Sequence, residues 1–132
     1  MSKYGKAAIK ATELYSIGSE SSPSDAWKSA VKEIFPDSQS SQDKGCPKGA
    51  YLGLCEDGVV VGIPRGKYSR SEKNKNYAVI AIKLLRDNPS LSDDPKVLWT
   101  KVMQSLREEG KKPNSQMEVV IALWSASLIS GA

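Results

Sequence analysis

The sequence predicts an all-α protein of about six helices, arranged as two three-helix repeat units, residues 3–58 and 77–131, joined by a glycine-rich basic connector. Three observations carry this expectation. Apolar residues recur at helical spacing in six segments. Start and stop signals bracket those segments, with Pro at first positions and Gly or Pro just past the ends. The chain also echoes itself: Tyr4, Ala8, Ile9 and Lys10 return 73 residues later as Tyr77, Ala81, Ile82 and Lys83. Pro23 and Trp27 return 72 residues later as Pro95 and Trp99, so one small slip in a loop aligns both sets. A true repeat of this length calls for two similar structural units; the competing reading is a chance echo of shared helix grammar, since Pro at a first position followed by a core Trp is an ordinary arrangement.

Each element follows from its own residues. In Lys3 to Ile17, Tyr4, Ala7, Ala8, Ala11, Leu14 and Tyr15 fall on one helical face, and Gly18 ends the helix. Ser22 is the expected N-cap of a second helix, with Pro23 at its first position and Asp25 near the positive end of the dipole. That helix turns Ala26, Trp27, Ala30, Val31, Ile34 and Phe35 inward, and Pro36 stops it. A polar loop, Asp37 to Asp43, leads to a third helix from Pro47 to Asp57, with Gly58 past its end. Gly49 and Gly53 are poor helix formers, but small residues at that spacing let another helix approach closely. Val59 to Ile63 reads as a short extended piece.

In the second unit, Ser69 or Ser71 caps a helix running to about Asp87, ended by Asn88 and Pro89. Asp93 and Asp94 precede Pro95, which starts a helix through Leu106, closed by Gly110. Ser115 and Glu118 form a capping-box pattern for a last helix from Gln116 to about Ile129, apolar nearly all round and so expected at the centre. At a shift of 73, Gly58 falls on Gly131, Tyr51 on Trp124 and Cys55 on Leu128, which makes the third helices counterparts.

A chain of 132 residues builds one globular body without help from metals or disulfides, so residues 1–132 are read as a single helical domain. No apolar run is long enough for a membrane span, and Met1 to Lys10 lacks the apolar core of a signal peptide, so a cytoplasmic location is expected. The two cysteines, Cys46 and Cys55, lack zinc-type spacing and read as reduced thiols. Histidine is absent, which removes the commonest general base, the Ser/His and Cys/His nucleophile pairs, and most zinc and haem chemistry. No cofactor or metal is expected. The net charge of +4 is unevenly placed: Lys44 to Lys83 holds eight basic residues against Glu56, Asp57 and Glu72, so that segment carries +5 and the rest of the chain −1. Such confinement points to an anionic partner.

The strings GCPKGAYLGLCE, from Gly45, and GIPRGKYSRSEKNKNYA, from Gly62, carry a resemblance that spans most of the chain. They resemble a family of small, uncharacterised bacterial proteins. That resemblance implies no activity; it marks the central stretch as the family's distinctive feature.

Two constellations bear chemistry. Cys46, read as the N-cap of the third helix between Lys44 and Lys48, sits where dipole and cations lower a thiol pKa, although a plain capping or core role is the stronger reading without a histidine or a CxxC pair. The connector from Gly62 to Asn76 holds Arg65, Lys67, Arg70, Lys73 and Lys75, with Tyr68 among them and a helix start at its end. Glycines, hydroxyls, guanidinium groups and free amides suit phosphate, and Tyr68 suits base stacking. The competing reading is a loop held by its own glycines and by Tyr68 packed on the helices. Recognition-helix binding to DNA is disfavoured, because Met117 to Trp124 has almost no polar face with which to read bases. The expected function is therefore a non-enzymatic binding protein engaging nucleic acid through Arg65, Lys67, Tyr68, Arg70, Lys73 and Lys75. The alternatives are a protein–protein adaptor or inhibitor that docks on an acidic protein surface and, third, a thiol sensor or enzyme built on Cys46.

Overall fold

The computed structural model describes residues 2–131. It is all-α: six long helices, α1 (Lys3–Ser16), α2 (Pro23–Ile34), α4 (Gly45–Glu56), α5 (Glu72–Asp87), α6 (Pro95–Leu106) and α7 (Gln116–Ser125), with a four-residue helix α3 (Gln39–Gln42) and a 3₁₀ turn at Pro89–Asp93.

Local chemistry sets most boundaries. Ser22 Oγ accepts from the Asp25 amide at 3.1 Å, and Ser71, rather than Ser69, caps α5 through the Asn74 amide at 3.3 Å. Asp94 Oδ1 accepts from the amides of Lys96 and Val97 at 2.9 and 3.3 Å. Three boundaries differ from expectation. Helix α4 begins at Gly45, so Pro47 is its third residue and Cys46 lies inside the first turn instead of capping it. A first turn has no intrahelical use for its N–H groups, so it tolerates proline at any of these positions. Ser115 takes a left-handed conformation (φ 70°) and makes no cap bond; the Gln116 side-chain carbonyl accepts from the Asn114 amide, which lies before the helix. Helix α7 ends at Ser125 rather than near Ile129, because Leu128 to Ser130 leaves the helix to pair with Val59 to Val61.

Helices α4 and α7 meet at the centre, and the halves interleave around them. Helix α1 lies on α2 and on α7, while α5 lies mainly on α4, so each half's first helix rests on the third helix of the other. Compact three-helix units standing side by side are not what forms. The crossings are close because small residues occupy them. A Cβ on Gly53 would lie 2.5 Å from the Lys75 Cα, and one on Gly5 2.8 Å from the Ala122 Cβ.

The ends of α4 and α7 match each other, at an offset of 69 rather than 73. Gly58 (φ 78°) and Ser127 (φ 60°) take the left-handed position after each helix, and the following amides bond back, Val59 to Leu54 at 3.3 Å and Leu128 to Leu123 at 2.9 Å. The two tails then pair. Val61 N–H donates to Leu128 O and Ser130 N–H to Val59 O, both at 2.8 Å, around an antiparallel Val60–Ile129 bridge. At this offset Gly131 corresponds to Gly62, both with positive φ, and Tyr51 corresponds to Val120.

The core is continuous across both halves. Trp27 stacks on Tyr51 with ring centroids 5.3 Å apart, and Tyr77 meets Trp99 edge-on at 5.1 Å. The Thr12 hydroxyl donates to Ala8 O at 2.9 Å, which leaves Tyr51 to donate its own proton to Thr12 Oγ1, also at 2.9 Å. Among the described residues no helix is long and apolar enough to cross a membrane.

Candidate anion-binding site

Glu56, the last residue of α4, organises the connector that follows it. Its side chain is only 6% exposed and accepts three charge-assisted bonds: from the Tyr68 amide at 2.9 Å, the Ser69 amide at 3.1 Å and Lys75 Nζ at 2.7 Å. Lys75 and the two amides hold its carboxyl well down, at about 2. Because Gly53 has no side chain, α5 approaches near enough for Lys75 to reach this carboxylate. The connector is thereby tied to the helix ends on either side of it.

Tyr68 braces the turn from within. Its hydroxyl donates to Pro64 O at 2.7 Å, and its ring covers Gly66, where a Cβ would come within 2.7 Å of the ring. Of the six residues expected to contact an anion, the structure therefore engages two internally: Lys75 is paired with Glu56, and Tyr68 is a half-buried strut. The other four, Arg65, Lys67, Arg70 and Lys73, are all exposed, and among the described residues none of them is ion-paired.

Beside the strut lies a cavity of about 380 Å³ between the 68–71 turn and the first turns of α2 and α4. Lys48 and Arg70 line it, with the hydroxyl-bearing residues Ser24, Ser69 and Ser71 and the apolar Leu52. No acidic residue contributes to its walls. Sequence reasoning placed Arg70 and Tyr68 in the connector site but gave no role there to Lys48 or Ser24. No local signal marked Lys48: α4 carries no acid in its first turn, but neither do α1 and α6, which also carry lysines there.

Cys46 is half-buried and Cys55 fully buried, and both are free thiols. Burial pushes the Cys55 thiol up to about 12, which leaves it a core group without thiolate character at neutral pH. Among the described residues no group of three or more His, Cys, Asp or Glu side chains is placed to hold a metal ion.

No curated protein and no solved structure matches the chain. A family model described as a family of unknown function (DUF6979) matches residues 1–130, and the chain belongs to that family.

Proposed function

We propose that this protein is a non-enzymatic, cytoplasmic nucleic-acid-binding protein that uses the connector as its contact surface. One observation carries the reading: a backbone segment pinned by Glu56 presents four exposed cations, Arg65, Lys67, Arg70 and Lys73, with no ion-pair partner among the described residues. Cations on a fixed backbone lose less freedom on binding than cations on a loose loop, and they bind a polyanion chiefly by displacing its counterions. Lys48 extends the set at the edge of α4. Lys75 and Tyr68 serve the surface indirectly, by holding the segment in place.

The test is a titration of the intact protein against labelled single- and double-stranded DNA and RNA at about 50 mM salt. Saturable binding that weakens steeply with salt supports the reading. Absence of binding to all four, with binding to polyglutamate under the same conditions, rejects nucleic acid and leaves the acidic-protein adaptor in its place.

A further inference from the structure

We infer that the cavity beside Tyr68 is a seat for a terminal phosphate, a phosphate monoester, as distinct from the internal diesters that the exposed connector contacts. This rests on the reading of the connector as an anion-binding face, and it adds a ligand class and a second contact point.

The donor inventory of the cavity points one way. Lys48 and Arg70 have no acidic partner among the described residues, and both line it. Ser71 Oγ already accepts two hydrogen bonds from Asn74, from the amide at 3.3 Å and from Nδ2 at 3.0 Å. Its own proton has no acceptor among the described residues, so this hydroxyl is a free donor on the cavity wall. Asn74 is in turn fixed by the fully buried Gln116, whose amide donates to Asn74 Oδ1 at 3.1 Å, so the Ser71 oxygen is held from the interior of the fold. Glu72, the nearest acid in sequence to this turn, is exposed at the start of α5 and is not part of the cavity lining, and Glu56 spends its carboxylate on the Tyr68 and Ser69 amides and on Lys75.

Two cations match a monoester, which carries about −1.5 to −2 near pH 7, better than a diester with its single charge. Leu52, which is 3% exposed, supplies an apolar part of the lining. Its volume of about 380 Å³ lies at the small end of the ~300–1,000 Å³ range of ligand pockets.

The other half supplies an internal contrast. At the matching offset Lys48 corresponds to Met117 and Gly49 to Glu118, and Met117 and Glu118 line a cavity of about 310 Å³. A carboxylate thus enters the second cavity where the first has only glycine. Among the described residues, the cavity at Lys48 has no acidic lining and the one at Met117 does.

The experiment compares a 5′-phosphorylated oligonucleotide with the same strand ending in a 5′-hydroxyl, and adds a melting scan with a nucleoside 5′-monophosphate. The phosphorylated strand should bind about tenfold tighter, the worth of one or two charge-assisted hydrogen bonds. Lys48→Ala should bring the ratio of the two affinities close to one, Lys48→Arg should restore part of it, and Arg65→Ala should weaken both strands while preserving the ratio. If neither strand binds but the monophosphate raises the melting temperature of the wild type and not of Lys48→Ala, the seat stands, its source is a small phosphorylated molecule, and the nucleic-acid reading fails. If the strands bind equally and the monophosphate gives no shift, the seat is overturned and the nucleic-acid reading survives. If nothing binds, both fall.

Discussion

Replacing Glu56 with glutamine removes the charge that ties the connector down while keeping a carbonyl that can accept from the Tyr68 and Ser69 amides. The carboxyl falls from an ordinary 4.5 to about 2 in the folded chain. A difference of about 2.5 pH units corresponds to about 3 kcal/mol of folding free energy at neutral pH. Truncating one member of a fully buried pair costs ~3–5 kcal/mol, but the Lys75 side chain is 22% exposed and its stranded ammonium can rehydrate. The expected loss is therefore about 2–3 kcal/mol, or roughly 8–12 °C in melting temperature for a chain of this size. Urea unfolding of both proteins across pH gives the assay. Because the folded pKa is depressed, the carboxylate's contribution is complete above the unfolded value near 4.5 and is lost as pH falls through about 2. The wild type should thus converge on the variant across that interval while the gap stays constant above it. A loss below about 0.5 kcal/mol at pH 7, the level of an ordinary surface change, would refute the clasp, as would a gap that does not change with pH.

Three further outcomes follow from the packing. Gly53→Ala forces a methyl to 2.5 Å from the Lys75 Cα, a backbone atom that cannot swing aside, and should destabilise by about 3 kcal/mol or more in denaturant unfolding. Trp27 Nε1 is buried with no acceptor, whereas Trp99 Nε1 donates to Lys111 O at 3.0 Å. Trp27→Phe should accordingly cost about 1–2 kcal/mol less than Trp99→Phe, since only the latter leaves a carbonyl without its donor. Under native conditions a thiol reagent should modify Cys46 much faster than Cys55, which is 0% exposed, and mass mapping would reveal equal protection if that is wrong.

Features written in adjacent residues were legible. Ser22 with Pro23, and Asp94 with Pro95, name their caps outright, and both form. The start of α4 was misplaced by two residues because Pro47 looks the same as a first or a third helical residue. The offset between the third helices was misread for a similar reason: Gly131 resembles Gly58 by type, yet Ser127 takes the left-handed turn and leaves Gly131 to match Gly62. A serine in that conformation leaves no trace in composition. Glu56 entered the sequence reading only as one negative charge, since its partners lie 12, 13 and 19 residues away and meet it only after α5 has crossed Gly53. The same crossing removes Lys75 from the free cations. Arg65, Lys67, Arg70 and Lys73 were visible as a run of charge, but their freedom from acidic partners is a property of the fold.

Salt dependence of oligonucleotide affinity tests the central claim most directly, because each phosphate neutralised by the connector contributes about 0.7 to the slope of log affinity against log salt for a single strand, and about 0.9 for a duplex. Replacing Arg65, Lys67 and Lys73 together with alanine should lower that slope by roughly 2–3. The melting temperature should change little, since all three side chains are exposed and none is ion-paired among the described residues. An unchanged slope in a triple variant that still folds and still binds would contradict the account, because the cations doing the binding would then lie elsewhere on the molecule.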